Sequence, residues 1–173
     1  MAQMEDVFKN QISALMRMLD VTKVFKNDRE PCEIEEGVFL GSIAAANNRE
    51  YLKRRNVTHV LTVANSIAPA HPNDFAYKII AVADRETTNL REYFEECFSF
   101  IEEAKRKGGG ALVHCFVGKS RSVTIVVAYL MKKRGMTLSQ ALSYVRARRP
   151  QASPNLGFIA QLKEYESSLR SAY

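Results

Sequence analysis

"GGGALVHCFVGKSRSVTIVVAYLMKKRG", residues 108–135, carries the reading on which the fold turns. A glycine turn leads into a short apolar run, "ALVHC", that reads as a strand ending at His114 and Cys115. A small loop, "FVGKS", follows, and then a helical pattern from Arg121 to Arg134 that Gly135 stops. Strand, tight loop and helix in that order place the Cys115 thiol at the C-terminal edge of a sheet, where open α/β folds keep their ligand sites.

Outward from this unit, the punctuation alternates strands with helices. Val38–Gly41 is a strand candidate, and Ser42 reads as the N-cap of a helix running to about Arg55. Residues 57–64, "VTHVLTVA", and 77–83, "YKIIAVA", are β-branched and apolar enough for buried strands, with Pro69 and Pro72 in the loop between them. Asn89 caps a helix whose Leu90, Phe94, Cys97, Phe98 and Ile101 share one face, and Gly108–Gly110 end it. Thr137 caps another helix to Arg149, and Pro154 begins a last one. The expected class is α/β, with a central, mostly parallel sheet flanked by helices. A boundary near Asp28–Cys32 divides an N-terminal helical extension, residues 1–31, from the α/β domain, residues 32–173.

Composition bounds the chemistry. At 173 residues, 46% hydrophobic and 25% charged, the chain suits one domain with a sizeable core. Its three cysteines, Cys32, Cys97 and Cys115, are odd in number and widely spaced, which points to a reducing compartment rather than a disulfide framework. The expected location is cytoplasmic, with the nucleus as a second compartment. Val123–Met131 is about half of the ~20 apolar residues that a membrane span needs. The net charge of +6 favours anionic partners, but the cations are dispersed over helix faces, and no nucleic-acid partner is expected. His59 and His71 have no cysteine or carboxylate at ligand spacing, so neither a metal nor another cofactor is indicated.

The loop after the strand has the makings of an anion cradle. The backbone amides of Phe116, Val117, Gly118, Lys119, Ser120 and Arg121 can point inward, Gly118 permits a conformation that a Cβ would resist, and the helix N-terminus adds partial positive charge. A thiol in such surroundings is shifted toward its thiolate. Arg121, six positions after Cys115, offers a planar fork that holds two phosphate oxygens at once. Together these groups suit phosphoryl transfer to sulfur, with phosphocysteine as the intermediate.

"HCFVGKSRS" has the His-Cys-five residues-Arg-Ser pattern of the protein tyrosine phosphatase superfamily. "SRSVTIVVAYLMKK" and "ASPNLGFIAQL" resemble its dual-specificity branch, in particular the small plant phosphatases that act on MAP kinases. The resemblance covers about residues 32–170. It implies that Cys115 is the nucleophile, Arg121 the phosphate clamp, Ser122 the hydroxyl that eases breakdown of the intermediate, and His114 a support for the thiolate. It also points to Asp84, 31 residues before the cysteine, as the general acid, with Glu86 its nearby competitor, and to Asn155 as a supporting hydrogen-bonding residue. The implied substrates are phosphorylated proteins, MAP kinases among them. A phosphoinositide or glucan phosphatase of the same chemistry and a phosphate-binding interaction module regulated by calmodulin are the alternative readings.

Residues 9–26, "KNQISALMRMLDVTKVFK", read as a basic amphipathic helix. Ile12, Leu15, Met16, Leu19, Val24 and Phe25 supply apolar anchors, while Lys9, Arg17, Lys23 and Lys26 outweigh Asp20. Ile12 and Phe25 stand thirteen positions apart, a spacing resembling that of helices wrapped by calmodulin. Packing on its own domain, or on a second copy, would bury the same stripe.

Overall fold

A computed structural model describes residues 2–172; the side chains of Ala2, Asp20, Val21, Val24 and Phe25 lie outside that description. Asp20, Val24 and Phe25, named above in the amphipathic segment, therefore lie outside the described side chains. Five strands, β1 (Cys32–Glu35), β2 (Val38–Gly41), β3 (Val57–Val63), β4 (Ala76–Ile80) and β5 (Gly110–His114), form one sheet in the order β1-β2-β5-β3-β4. Only the β1–β2 pair is antiparallel. The central position of β5 follows from its sequence: all five of its residues are buried, which an edge strand does not require.

Alternation along the strands divides the core into two. Val38 and Leu40, Leu61 and Val63, and Ala111 and Val113 face one side, where they meet α4 (Phe94–Arg106), α5 (Arg121–Arg134), α6 (Leu138–Arg148) and α7 (Leu156–Arg170). Phe39, Val60 and Leu112 face the other side and pack with Ala46 of α2 (Ile43–Ala46) and Leu52 of α3 (Arg49–Arg54). Ser122 through Met131 of α5 are all buried, because sheet, α4, α6 and α7 surround the helix. Each large aliphatic side chain enclosed there contributes about 1.5–3 kcal/mol of transfer free energy. That enclosure explains the apolar run of α5, and among the described residues no helix is long and apolar enough to cross a membrane.

The structure departs from the sequence reading at several places. The helix expected from Ser42 to Arg55 is two short helices broken at Asn47 and Asn48, and the Asn48 side chain caps the second. Ser42 occupies the N-cap position, yet its hydroxyl donates to the Asp28 carbonyl at 3.0 Å instead of capping. The strand expected at 77–83 is a sheet edge, so four of its five residues are not buried. Strand β1 was not foreseen. Asn89 does not cap α4: its Oδ1 accepts from the Glu92 amide at 3.4 Å in a 3-10 turn, Arg91–Tyr93, whose N-cap is Leu90 and which precedes α4. The last helix begins at Leu156 with Asn155, not Pro154, at its cap, whereas Gly135 ends α5 as expected, and Thr137 and Gln140 form a reciprocal capping box on α6.

The first helix, α1 (Ala2–Asn27), is longer than its amphipathic segment. Its apolar stripe begins at Met4 and runs through Phe8, Ile12, Leu15, Met16 and Leu19, all exposed. Those side chains stand open to solvent, and α1 meets the rest of the chain chiefly at α2.

Candidate active site

The loop between β5 and α5 is held from outside, carbonyl by carbonyl. The Cys115 carbonyl accepts from His114 Nδ1 at 2.9 Å, and the Phe116 carbonyl accepts from the Ile43 amide at 3.0 Å. Arg149 donates to the next two, from Nη2 to Val117 at 3.0 Å and from Nε to Gly118 at 2.6 Å. The Lys119 carbonyl takes the Ser153 amide at 2.8 Å, and the Ser120 carbonyl takes both the amide and the hydroxyl of Thr124. A trans peptide sets its C=O and N–H in opposite directions, so carbonyls turned outward leave the following amides turned inward. The Gly118 amide donates to Cys115 Sγ at 3.2 Å. Among the described residues, the amides of Phe116, Val117, Lys119, Ser120 and Arg121 have no protein acceptor.

Gly118 is required in this loop. Its φ is +73°, and a Cβ would collide with the Gly41 carbonyl and with Arg149. Cys115 is buried, its Sγ 3.1 Å from Ser122 Oγ on the first turn of α5. Once the sulfur is a thiolate, it can only accept, so the Ser122 hydroxyl donates. Arg121 donates from Nη1 to the Val82 carbonyl at 3.0 Å, while its Nε is buried with no partner among the described residues. A buried, unpaired guanidinium nitrogen is costly unless an anion meets it. Val117 and Lys119 stand exposed on the loop's rim.

His114 is fixed as a neutral ring. A carbonyl only accepts, so Nδ1 carries the proton, and Nε2 then accepts from the Thr62 hydroxyl at 2.8 Å. Burial, reinforced by the Arg121 charge and opposed by the bond to the Cys115 carbonyl, brings its pKa down to about 4. His114 therefore supports the loop as a hydrogen-bonding strut without a charge of its own.

Asp84 lies in an exposed loop that α7 holds in place. Asn155, the N-cap of α7, accepts from the Phe158 amide through Oδ1, which fixes its amide orientation. Its Nδ2 then donates to Asp84 Oδ1 at 2.9 Å, and its backbone amide donates to Ser120 Oγ at 2.9 Å. One residue thus joins the aspartate loop to the cradle, and among the described residues Asp84 Oδ2 has no hydrogen-bond partner. Gln161 clamps the same loop farther along, accepting from the Leu90 amide at 2.8 Å and donating to the Thr88 carbonyl at 2.8 Å. Gly157 has no room for a side chain, because a Cβ would overlap the Glu86 backbone. Glu86 itself is exposed.

Arg149, Asp28, Gly157 and Gln161 escaped the sequence reading. Gly157 and Gln161 sit inside "ASPNLGFIAQL", so that stretch held the signal; Arg149 lies in a basic run that looks like solvated surface. Cys97, expected in the core, is fully buried, and burial pushes its thiol up to about 12. His59, with no carboxylate at ligand spacing in the sequence, meets Glu103 at 3.2 Å across 44 residues, a contact that spacing could not reveal. Among the described residues, no three His, Cys, Asp or Glu side chains converge as metal ligands would.

Comparison with known proteins bears directly on this arrangement. Residues 38–168 match the family model described as "Dual specificity phosphatase, catalytic domain". "Dual specificity protein phosphatase 1" of Arabidopsis thaliana is 62% identical over 162 residues, covering 94% of this chain and 82% of that protein. "MAP kinase phosphatase with leucine-rich repeats protein 3" of Dictyostelium discoideum is 41% identical over 160 residues, 92% of this chain and 18% of that one. Among solved structures, the human tyrosine phosphatase-like serine/threonine/tyrosine-interacting protein superposes with a TM-score of 0.79 at 34% identity, covering 82% of this chain and 98% of that one.

The depressed pKa of His114 sets a pH signature. Its stabilising contribution is whole above about pH 6.5, where the unfolded imidazole is neutral, and is lost as pH falls toward about 4. In full it amounts to about 3 kcal/mol. Urea unfolding of wild type and His114→Asn should therefore show a stability gap at pH 7 that narrows by about 2 kcal/mol at pH 4.5. A gap independent of pH would mean that His114 is not held neutral.

Proposed function

The chain belongs to the dual specificity phosphatase family, a hydrolase of phosphotyrosine and phosphoserine or phosphothreonine in proteins, and on that premise we propose how its residues divide the reaction. Cys115 attacks phosphorus as the thiolate. An S–P bond forms as the bond to the seryl, threonyl or tyrosyl oxygen breaks, and that oxygen takes the proton from Asp84 Oδ2. Arg121 and the loop amides of residues 116–121 hold the three non-bridging oxygens, where charge is spread during transfer. Water then attacks phosphocysteine, the Asp84 carboxylate takes its proton, and the Ser122 hydroxyl donates to the departing sulfur. His114 and Asn155 orient the groups they touch.

The observation that carries this reading is the loop itself, with its carbonyls engaged from outside while the amides of Phe116, Val117, Lys119, Ser120 and Arg121 and the Arg121 Nε are left, among the described residues, for an anion. Residues 32–173 form the catalytic unit in this account, and residues 1–31 the extension. Doubly phosphorylated MAP kinases are the proposed substrates, supported by the printed name of the Dictyostelium relative. An exposed rim of Val117, Lys119, Arg85 and Leu156 suits a protein chain as ligand.

Turnover of a doubly phosphorylated MAP kinase activation-loop peptide tests the roles and the substrate together. Cys115→Ser should lose roughly a thousandfold or more in kcat while still binding the peptide. Asp84→Asn should lose about a hundredfold on phosphotyrosine but far less on para-nitrophenyl phosphate, whose leaving group needs no proton. An equal loss on both would move the acid to Glu86, and faster turnover of a phosphoinositide than of the peptide would remove the protein substrate.

The exposed stripe and basic character of α1 support calcium-loaded calmodulin as the partner of residues 9–26. Titration of the full chain with calmodulin should show binding in calcium and none in chelator, with Ile12→Glu or Met16→Glu weakening it at least about tenfold. Calcium-independent binding, or no effect of either substitution, would contradict this role.

A further inference from the structure

The most constrained polar group outside the reaction is the Arg149 guanidinium. It is 1% exposed, and every nitrogen is engaged: Nε with the Gly118 carbonyl, Nη2 with the Val117 carbonyl and with Asp28 Oδ2 at 2.7 Å, and Nη1 with Asp28 Oδ1 at 3.1 Å. Asp28 comes from 121 residues earlier, in the segment that joins α1 to β1.

The two carbonyls that Arg149 holds differ from their neighbours. Those of Phe116, Lys119 and Ser120 are met by backbone amides, those of Ile43 at the start of α2, of Ser153 just before α7 and of Thr124 within α5. Those of Val117 and Gly118 depend on one side chain, and on a charge that is costly to keep buried without a counter-charge. Because carbonyl and amide of one peptide point opposite ways, holding Val117 O outward aims the Gly118 amide at Cys115 Sγ, and holding Gly118 O outward aims the Lys119 amide into the cradle.

We propose that Asp28 is a positioning residue for phosphoryl transfer: its carboxylate, through Arg149, keeps the Val117 and Gly118 peptides oriented so that their amides serve sulfur and phosphate. This rests on the reading of residues 115–121 as the phosphate cradle. Asp28 follows Asn27, the last residue of α1, and its own carbonyl accepts from Ser42, so the clasp also ties the cradle to the end of that helix.

The test uses the full chain, with rates normalised to active sites by burst amplitude. Asp28→Asn keeps the shape of the side chain and removes its charge. It should lower kcat/KM for para-nitrophenyl phosphate about tenfold and weaken competitive inhibition by orthovanadate about tenfold, the expectation for a cradle misaligned by a fraction of an ångström. Asp28→Glu, which keeps the charge on a longer arm, should fall between wild type and Asp28→Asn, and it decides the matter if Asp28→Asn does not fold. Asp74→Asn, which removes the surface carboxylate between Arg49 and Lys53, should change neither quantity. Wild-type kcat/KM and vanadate affinity in the Asp28 variants, even with a lower melting temperature, would overturn the proposal and leave Asp28 a structural residue. Failure of the cradle reading would look different: the wild type itself would show no Cys115-dependent turnover and no inhibition by vanadate.

Discussion

A short loop can offer a row of amides to one anion only if something else takes its carbonyls. In this protein the carbonyls of residues 115–120 are all taken, by donors from five parts of the chain: the His114 ring, the start of α2, Arg149 beyond α6, Ser153 before α7, and Thr124 within α5. The central place of β5, the burial of α5 and the return of the chain past Arg149 all bring those donors to one point. A loop relaxed to satisfy its own carbonyls would lose the cradle, so the surrounding fold holds a conformation that the loop alone has no reason to adopt.

A second constraint joins the cradle to Asp84, the proposed acid. Asn155 bonds Ser120 on one side and Asp84 on the other, and Arg121 reaches the Val82 carbonyl just ahead of Asp84. Two elements that must meet across one phosphate are thus tied at two points by short polar bonds. Gln161 and the close approach at Gly157 fix the far side of the aspartate loop, so α7 is the structural partner of that loop as Arg149 is of the cradle.

What could be read from the sequence was what local patterns encode. The strand–loop–helix unit around Cys115, the stop at Gly135 and the cap at Thr137 depend on neighbouring residues, and each was legible. Strand β1 is four residues with two acidic side chains, and only its pairing with β2 makes it a strand. The helix after Ser42 breaks because Asn48 turns to cap a new one, which composition does not announce. Arg149 was hidden by its neighbours: in "RARRP" one arginine is buried and the others are not, and only a carboxylate 121 residues away marks which. The positions of Cys115, Arg121 and Ser122 were visible, whereas the donors that shape the loop around them were dispersed over the chain.

The most direct measurement is a crystal structure of the full chain with orthovanadate bound. The account predicts vanadium on Cys115 Sγ, its equatorial oxygens on the amides of residues 116–121 and on Arg121 Nε, and the loop carbonyls still on Arg149, Ile43 and Ser153. Vanadate bound elsewhere, or a loop whose carbonyls turn inward when it binds, would contradict it.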